Sequence, residues 1–197
     1  MRPELRANAP ALIRRAVAVG LLAVAPALWA GPIAFDTWGQ FAFADAGSGA
    51  IGCDPADPAG GFCIPSSGTP TIFLDAPAWT FTAPAGALLT VTDAFLSGDQ
   101  FEIFDFGIFV GMTSLPGQGI DCGDDPVVCL GTVGMSAGTF ALAAGSHAIT
   151  LVPLLSPEGS GSGYLIVAAA VAEPGSLALL GLGIVGLALV RRYRRHQ

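Results

Sequence analysis

Ser136 stands at the centre of Gly134-Met135-Ser136-Ala137-Gly138. This is the G-x-S-x-G pattern that in hydrolases puts a serine nucleophile on a sharp strand-to-helix turn, followed along the chain by an acid and then a histidine. Here no Asp or Glu lies between Ser136 and His147, and the flanks are glycine-rich β sequence. Ser146-His147 before Ile149-Thr150-Leu151 reads as the start of a strand. A serine hydrolase is therefore set aside. Glycoside hydrolysis needs only two suitably spaced carboxylates, but nothing in the sequence selects a pair. The expectation is a protein without catalytic residues, with a secreted glycan hydrolase as a lesser alternative.

The acids raise a different chemistry. Between Val91 and Asp105 stand Asp93, Asp99, Glu102 and Asp105. In an extended strand Phe101, Ile103 and Asp105 share one face and Glu102, Phe104 and Phe106 the other, so each acid sits among apolar neighbours. A buried carboxylate needs a partner. Residues 31–171 contain no Lys or Arg, leaving backbone N–H groups, hydroxyls or a bound cation. Ca²⁺ takes six to eight oxygen ligands, which makes these four acids a candidate metal set. The competing expectation is that Asp93 and Asp99 cap turns beside glycine while Glu102 and Asp105 reach solvent at a sheet edge. No D-x-[DN]-x-[DN]-G loop favours the metal, so no cofactor is expected. Asp121, Asp124 and Asp125 read as a solvated turn, with a surface cation site as the alternative. Trp79 and the phenylalanines read as core, with a sugar-stacking platform as the alternative.

Four cysteines fall into two local pairs, Cys53 with Cys63, ten apart, and Cys122 with Cys129, seven apart. Short loops are the cheapest to close, so two disulfides are expected in these pairings. Zinc sites use closer ligand spacing, and His147 is the only histidine of residues 31–171.

The elements that must position these groups read as β structure. Apolar and β-branched runs at Ile33–Phe43, Thr71–Leu74, Trp79–Thr82, Leu88–Thr92, Phe101–Val110, Thr139–Leu142, His147–Leu151 and Tyr164–Val171 are separated by Gly, Pro, Asp and Ser. No stretch of ten or more residues among them joins helical periodicity to helix caps. The expected fold is all-β: a single β-sandwich, jelly-roll-like or immunoglobulin-like, over residues 31–171. Ser156 to Gly163 is expected to be a loop before the last strand.

Both ends of the chain read as addresses. Arg2, Arg6, Arg14 and Arg15 precede an apolar run from Ala16 to Leu28 and small residues. That order marks residues 1–30 as a signal peptide, a helix removed by signal peptidase after Ala30 or Ala27. The flanks of Arg14-Arg15 suit general secretion better than a twin-arginine route. At the other end Gly175 to Val190 is uncharged. Its sixteen residues would span about 24 Å as a helix, short against a hydrocarbon core of about 30 Å. Arg191, Arg192, Arg194 and Arg195 follow as a membrane stop.

Ala172-Glu173-Pro174-Gly175-Ser176-Leu177-Ala178-Leu179-Leu180-Gly181-Leu182-Gly183 and the terminal arginines resemble the PEP-CTERM sorting domain of Gram-negative bacteria, with Ala172 where the family has a first proline. The resemblance makes residues 172–197 a sorting signal. It implies an exosortase that reads Glu173 and Pro174, in bacteria that make exopolysaccharide and biofilm matrix.

With the ends removed, residues 31–171 carry eleven Asp and two Glu, a formal charge of −13. Such a body repels polyanions, which excludes nucleic acid as a partner. The combined expectation is a non-enzymatic exported protein, briefly anchored in the inner membrane and then placed on the cell surface or in the extracellular matrix. Exopolysaccharide is its candidate partner. A Ca²⁺-dependent carbohydrate-binding module is the alternative.

Overall fold

Along Gly145–Leu155 the side chains of His147, Ile149, Leu151 and Pro153 are buried while the residues between them face outward. This two-residue period is what a strand with one face on a core produces. A computed structural model describes residues 31–53, 55 and 59–170. Nine strands run in order as β1 (Trp38–Phe43), β2 (Thr71–Phe73), β3 (Trp79–Ala83), β4 (Ala87–Asp93), β5 (Gln100–Asp105), β6 (Ile108–Met112), β7 (Ala137–Leu142), β8 (Gly145–Leu155) and β9 (Gly161–Ala169). One short helix, α1 (Pro126–Gly131), lies between β6 and β7.

The strands form two sheets, ordered β2-β1-β9-β4-β7 and β3-β8-β5-β6. All neighbours are antiparallel except β1 and β2, which pair in parallel from Trp38 with Thr71 to Gln40 with Phe73. The protein is thus all-β among its described residues, apart from α1. Phe41, Phe43, Leu89, Val91, Leu165 and Val167 from the first sheet share one buried cluster with Trp79, Phe81, Phe101, Ile103, Ile149 and Leu151 from the second. Phe41 meets Trp79 at 5.6 Å and Phe101 edge-on at 5.4 Å between ring centroids, so the sheets pack face to face. Trp79 is fully buried and its indole N–H donates to the Asp75 carbonyl at 2.7 Å. It is core, and the sugar-platform alternative for it falls.

The five-stranded sheet is covered on its other face as well. Trp38 and Tyr164, which point away from the main core, join Ala94, Met135, Cys122 and Cys129 in a second buried cluster under α1. Both expected disulfides are present, Cys53–Cys63 and Cys122–Cys129. The second holds the segment that closes this cluster.

Four features differ from the sequence reading. The expected Ser156–Gly163 loop ends early, because Gly161 and Ser162 pair with Phe43 and Ala42 and so start β9 at Gly161. Ile33–Phe43 is not one strand: Asp36 takes a positive φ of 55°, and the strand begins at Trp38. Upstream, Ile33 donates its N–H to the Thr80 carbonyl at 2.9 Å. Helix α1 was not expected; Asp125 caps it by accepting from the Val127 N–H, with Pro126 at its first turn. Phe101–Val110 is a hairpin. Asp105 pairs with Ile108 across a two-residue turn in which Phe106 and Gly107 both have positive φ, 49° and 76°. Such primed turns normally carry Asn-Gly or Asp-Gly, so a phenylalanine at the first position hid the turn inside an apolar run.

The Phe106 conformation costs a bulky L-residue about 1 kcal/mol or more, and its side chain is 65 % exposed. Phe106→Asn is expected to raise the urea midpoint by the equivalent of about 1 kcal/mol with an unchanged m-value. A lowered midpoint would show that the phenyl ring contributes more than the turn costs.

Candidate functional site

Asp93, the last residue of β4, is fully buried. Its Oδ1 accepts from the Ala94 N–H at 2.8 Å, and its Oδ2 accepts from the N–H groups of Gly98 and Asp99 at 3.3 and 3.2 Å. It therefore caps the turn between β4 and β5, as the turn-cap expectation has it. Asp99 is only 6 % exposed. Its Oδ1 and the Ser156 Oγ are both buried without a hydrogen bond of ordinary geometry, although the Ser156 hydroxyl and Asp93 lie close enough to favour the Asp99 anion. Burial first, and then the Asp99 charge, pushes the Asp93 carboxyl up to about 8, against the three amides that lower it. Burial also raises Asp99, with Glu158 adding to it. Burial and the neighbouring Asp99 thus make the Asp93 carboxyl hold its proton to higher pH than an ordinary aspartate.

The four-acid calcium set does not assemble. Glu102 is half-buried on the outward face of β5, next to Met112 and Val152. Asp105 lies at the far end of the same strand, six residues from Asp99, a span of about 20 Å at strand rise. Among the described residues no group of three or more His, Cys, Asp and Glu side chains is placed to hold a metal ion.

Asp105 has a partner that sequence reasoning missed. Its Oδ2 lies 2.7 Å from His147 Nδ1, and its Oδ1 accepts from the Ala148 N–H at 2.9 Å. His147 Nε2 lies 3.0 Å from the Ala143 carbonyl, and the ring stacks on Phe81 with centroids 4.9 Å apart. Both ring nitrogens are thus placed against protein oxygens, which fixes the orientation of the ring. The signal was in the register. Asp105 pairs with Ile149, and His147 is the next residue along β8 on that face.

Ser136 is fully buried at the entry to β7, so a strand and not a helix comes directly after it. Its hydroxyl bonds Thr113 Oγ1 at 2.6 Å and the Ser114 carbonyl. Thr113 Oγ1 in turn accepts from the Phe101 N–H at 3.0 Å. The serine ties the β6–β7 connection to β5, while His147 is engaged elsewhere.

The second acidic cluster is a solvated turn closed by Cys122–Cys129, as expected, and it also clasps the segment 66–69. Asp124 accepts from the Ser67 hydroxyl at 2.7 Å and from its N–H at 3.2 Å. Asp125 accepts from the Thr69 N–H at 3.0 Å and from the Val127 N–H at 2.9 Å. Asp121 accepts from the Gly123 N–H at 2.8 Å. Desolvation, the largest single influence on Asp125, raises its carboxyl, but the hydrogen bonds from Thr69 and Val127 together outweigh it and hold the group below its ordinary value. Gly68 passes so close to Asp125 Oδ2 that a Cβ there would overlap it. Tyr164 donates its hydroxyl to the Asp124 carbonyl at 2.8 Å. Burial, followed by Asp124 and Asp125, pushes that phenol up to about 12.

The sorting residues Ala172, Glu173 and Pro174, the membrane-stop arginines and the apolar run 175–190 lie outside the described residues, as does the signal region 1–30. No helix among the described residues is long and apolar enough to cross a membrane. Residues 170–195 match the PEP-CTERM protein-sorting motif, so the C-terminus of this chain is a PEP-CTERM sorting signal. No curated protein and no solved structure matches the chain.

The carboxyl pair makes stability depend on pH. Between the ordinary value of 3.8 and the folded value of about 8, folded Asp93 keeps a proton that the unfolded chain has released. Stability is therefore full below about pH 4 and declines as pH rises towards 8, by at most about 1.4 kcal/mol per unit. Asp99→Asn removes the second cause of the shift and sacrifices no hydrogen bond at Oδ1. Urea unfolding from pH 4.5 to 8.5 is expected to show a shallower decline in this variant than in the wild type. Parallel profiles would show that the two carboxyls do not interact.

Proposed function

From a C-terminus that is a sorting signal, we propose that this chain is a non-enzymatic protein of the cell surface or extracellular matrix of a Gram-negative, exopolysaccharide-producing bacterium. The secretion machinery exports it, signal peptidase removes residues 1–30, and an exosortase recognises Glu173 and Pro174 while 175–190 lies in the inner membrane. The motif match at residues 170–195 carries this reading. Two disulfides suit an oxidising compartment outside the cytoplasm. The residue types that could have done chemistry are committed to the fold: Ser136 to Thr113 and Ser114, His147 to Asp105 and Ala143.

Strand order supports a jelly roll over an immunoglobulin-like sandwich. Leaving aside β2, the chain enters the sheets as β1, then β3, β4, then the β5–β6 hairpin, β7, β8 and β9, and the orders β1-β9-β4-β7 and β3-β8-β5-β6 result. The first and last strands are neighbours in one sheet, as two nested Greek keys require. Such a body presents loops and sheet faces to partners while its core stays closed.

Alanine substitution of Glu173 together with Pro174 tests the sorting step in the native host. The variant is expected to accumulate as an uncleaved species in the membrane fraction, whereas the wild type leaves that fraction in a shortened form. Identical fractionation and length of the two would reduce residues 175–190 to a simple tether.

A further inference from the structure

A cavity of about 410 Å³ opens where the end of β1 meets the start of β9, lined by Ala42, Phe62, Ile64, Phe95, Ser160 and Ser162 among others. We propose that it binds one neutral sugar ring of a polysaccharide. Phe62 and Phe95 would lie against the C–H face of the ring, and Ser160 and Ser162 would bond its hydroxyls. This assignment rests on the surface or matrix location proposed above, and names a ligand class for it.

Phe62 is held where apolar packing would not put it, and Phe95 is half-buried against the Trp38–Tyr164 cluster with a strained backbone at the cavity edge. Phe62 is 89 % exposed beside Cys63, whose disulfide to Cys53 keeps the phenyl ring at the rim instead of in the core. Phe95 has a φ of 56°, a conformation that glycine or asparagine would adopt at lower cost. Its backbone is clamped on both sides, its N–H donating to the Gly123 carbonyl at 3.0 Å and its carbonyl accepting from the Cys122 N–H at 2.8 Å. Non-glycine residues persist in such conformations where the surroundings over-determine them, and ligand clamps are a common setting.

The wall behind the rings is polar and incompletely paired. Gln40 is fully buried, and its Nε2 donates to Ser162 Oγ at 3.3 Å, while its Oε1 has no partner. If the amide is turned over, Ser162 donates to Oε1 and the NH₂ group loses its acceptor, so either orientation leaves one polar group unmatched. As oriented, the Ser162 hydroxyl proton is uncommitted and available to the cavity. A sugar hydroxyl both donates and accepts, which complements Ser162, the member of the pair that lines the cavity, in either arrangement. Among the described residues no charged side chain lines the cavity, and the −13 charge of residues 31–171 disfavours uronate-rich chains. Hydroxyls beside phenyl rings and charge neutrality together select a neutral glycan rather than an acidic one or a lipid chain.

Calorimetry on the full-length oxidised protein in detergent micelles tests this, with neutral glucan hexasaccharides of β-1,4 and β-1,3 linkage, an oligouronate of equal length and an apolar peptide as probes. At least one neutral hexasaccharide is expected to bind with a Kd below about 1 mM, at least tenfold tighter than the oligouronate. Phe62→Ala and Ser162→Ala are each expected to weaken it about fivefold or more, with Tm within about 2 °C of the wild type for the exposed Phe62. Absence of neutral-glycan binding, equal binding of the oligouronate, preference for the peptide, or affinity unchanged in both variants would overturn the assignment. Any of those results with normal surface delivery removes this site alone. Glycan binding retained in a chain that is not delivered to the surface removes the sorting reading alone.

Discussion

Residues 31–171 contain no fixed positive charge, so each acid that folding carries out of water has to be stabilised by something other than Lys or Arg. Three solutions are visible. Asp93 is met by three backbone amides, and its burial beside Asp99 pushes its carboxyl up so that it keeps its proton. Asp105 is met by the imidazole of His147 and the Ala148 amide. At the surface, Asp121, Asp124 and Asp125 keep contact with water and accept in addition from amides and a hydroxyl of nearby loops. In each case the acceptor shapes the chain around it. The turn after β4 wraps on Asp93, the segment 66–69 is pulled against the cap of α1, and the β7–β8 corner closes on His147.

The same constraint links the two clusters of buried apolar residues. The main core joins the sheets through Phe41, Trp79 and Phe101. The second, around Trp38 and Tyr164, forms only because a long connection folds back over the five-stranded sheet. That connection is held by the Cys122–Cys129 bridge, the Asp124 and Asp125 clasp and the Tyr164 hydroxyl. Its partner loop, pinned by Cys53–Cys63, borders the cavity. The disulfides and the Asp124 and Asp125 clasp therefore act at the surface of the sandwich, while Asp93 and Asp99 are buried at the edge of an otherwise apolar interior.

Local pattern carried much of this in the sequence. Two-residue alternation located the central strands, and short cysteine spacing gave both bridges, because each depends on neighbours in the chain. What depended on distant pairing was not legible. His147 had no visible role until β5 and β8 were in register, and the sandwich order is set by crossovers that leave no local mark. The Phe106-Gly107 turn was concealed because an apolar residue occupies a conformation usually given to asparagine. Glu102 and Asp105 were grouped with Asp93 and Asp99 by proximity in sequence. Strand geometry separates them, since six extended residues carry a side chain about 20 Å along the sheet.

The proton on the buried Asp93 carboxyl is the centre of this account. Carboxyl carbon NMR of the native protein, with Asp93 and Asp99 assigned, reads it directly. At about pH 6 one carboxyl of the pair is predicted to resonate as the protonated acid and to stay there when millimolar Ca²⁺ is added. Two fully ionised carboxylates at that pH, or a Ca²⁺-induced shift of both, would contradict it.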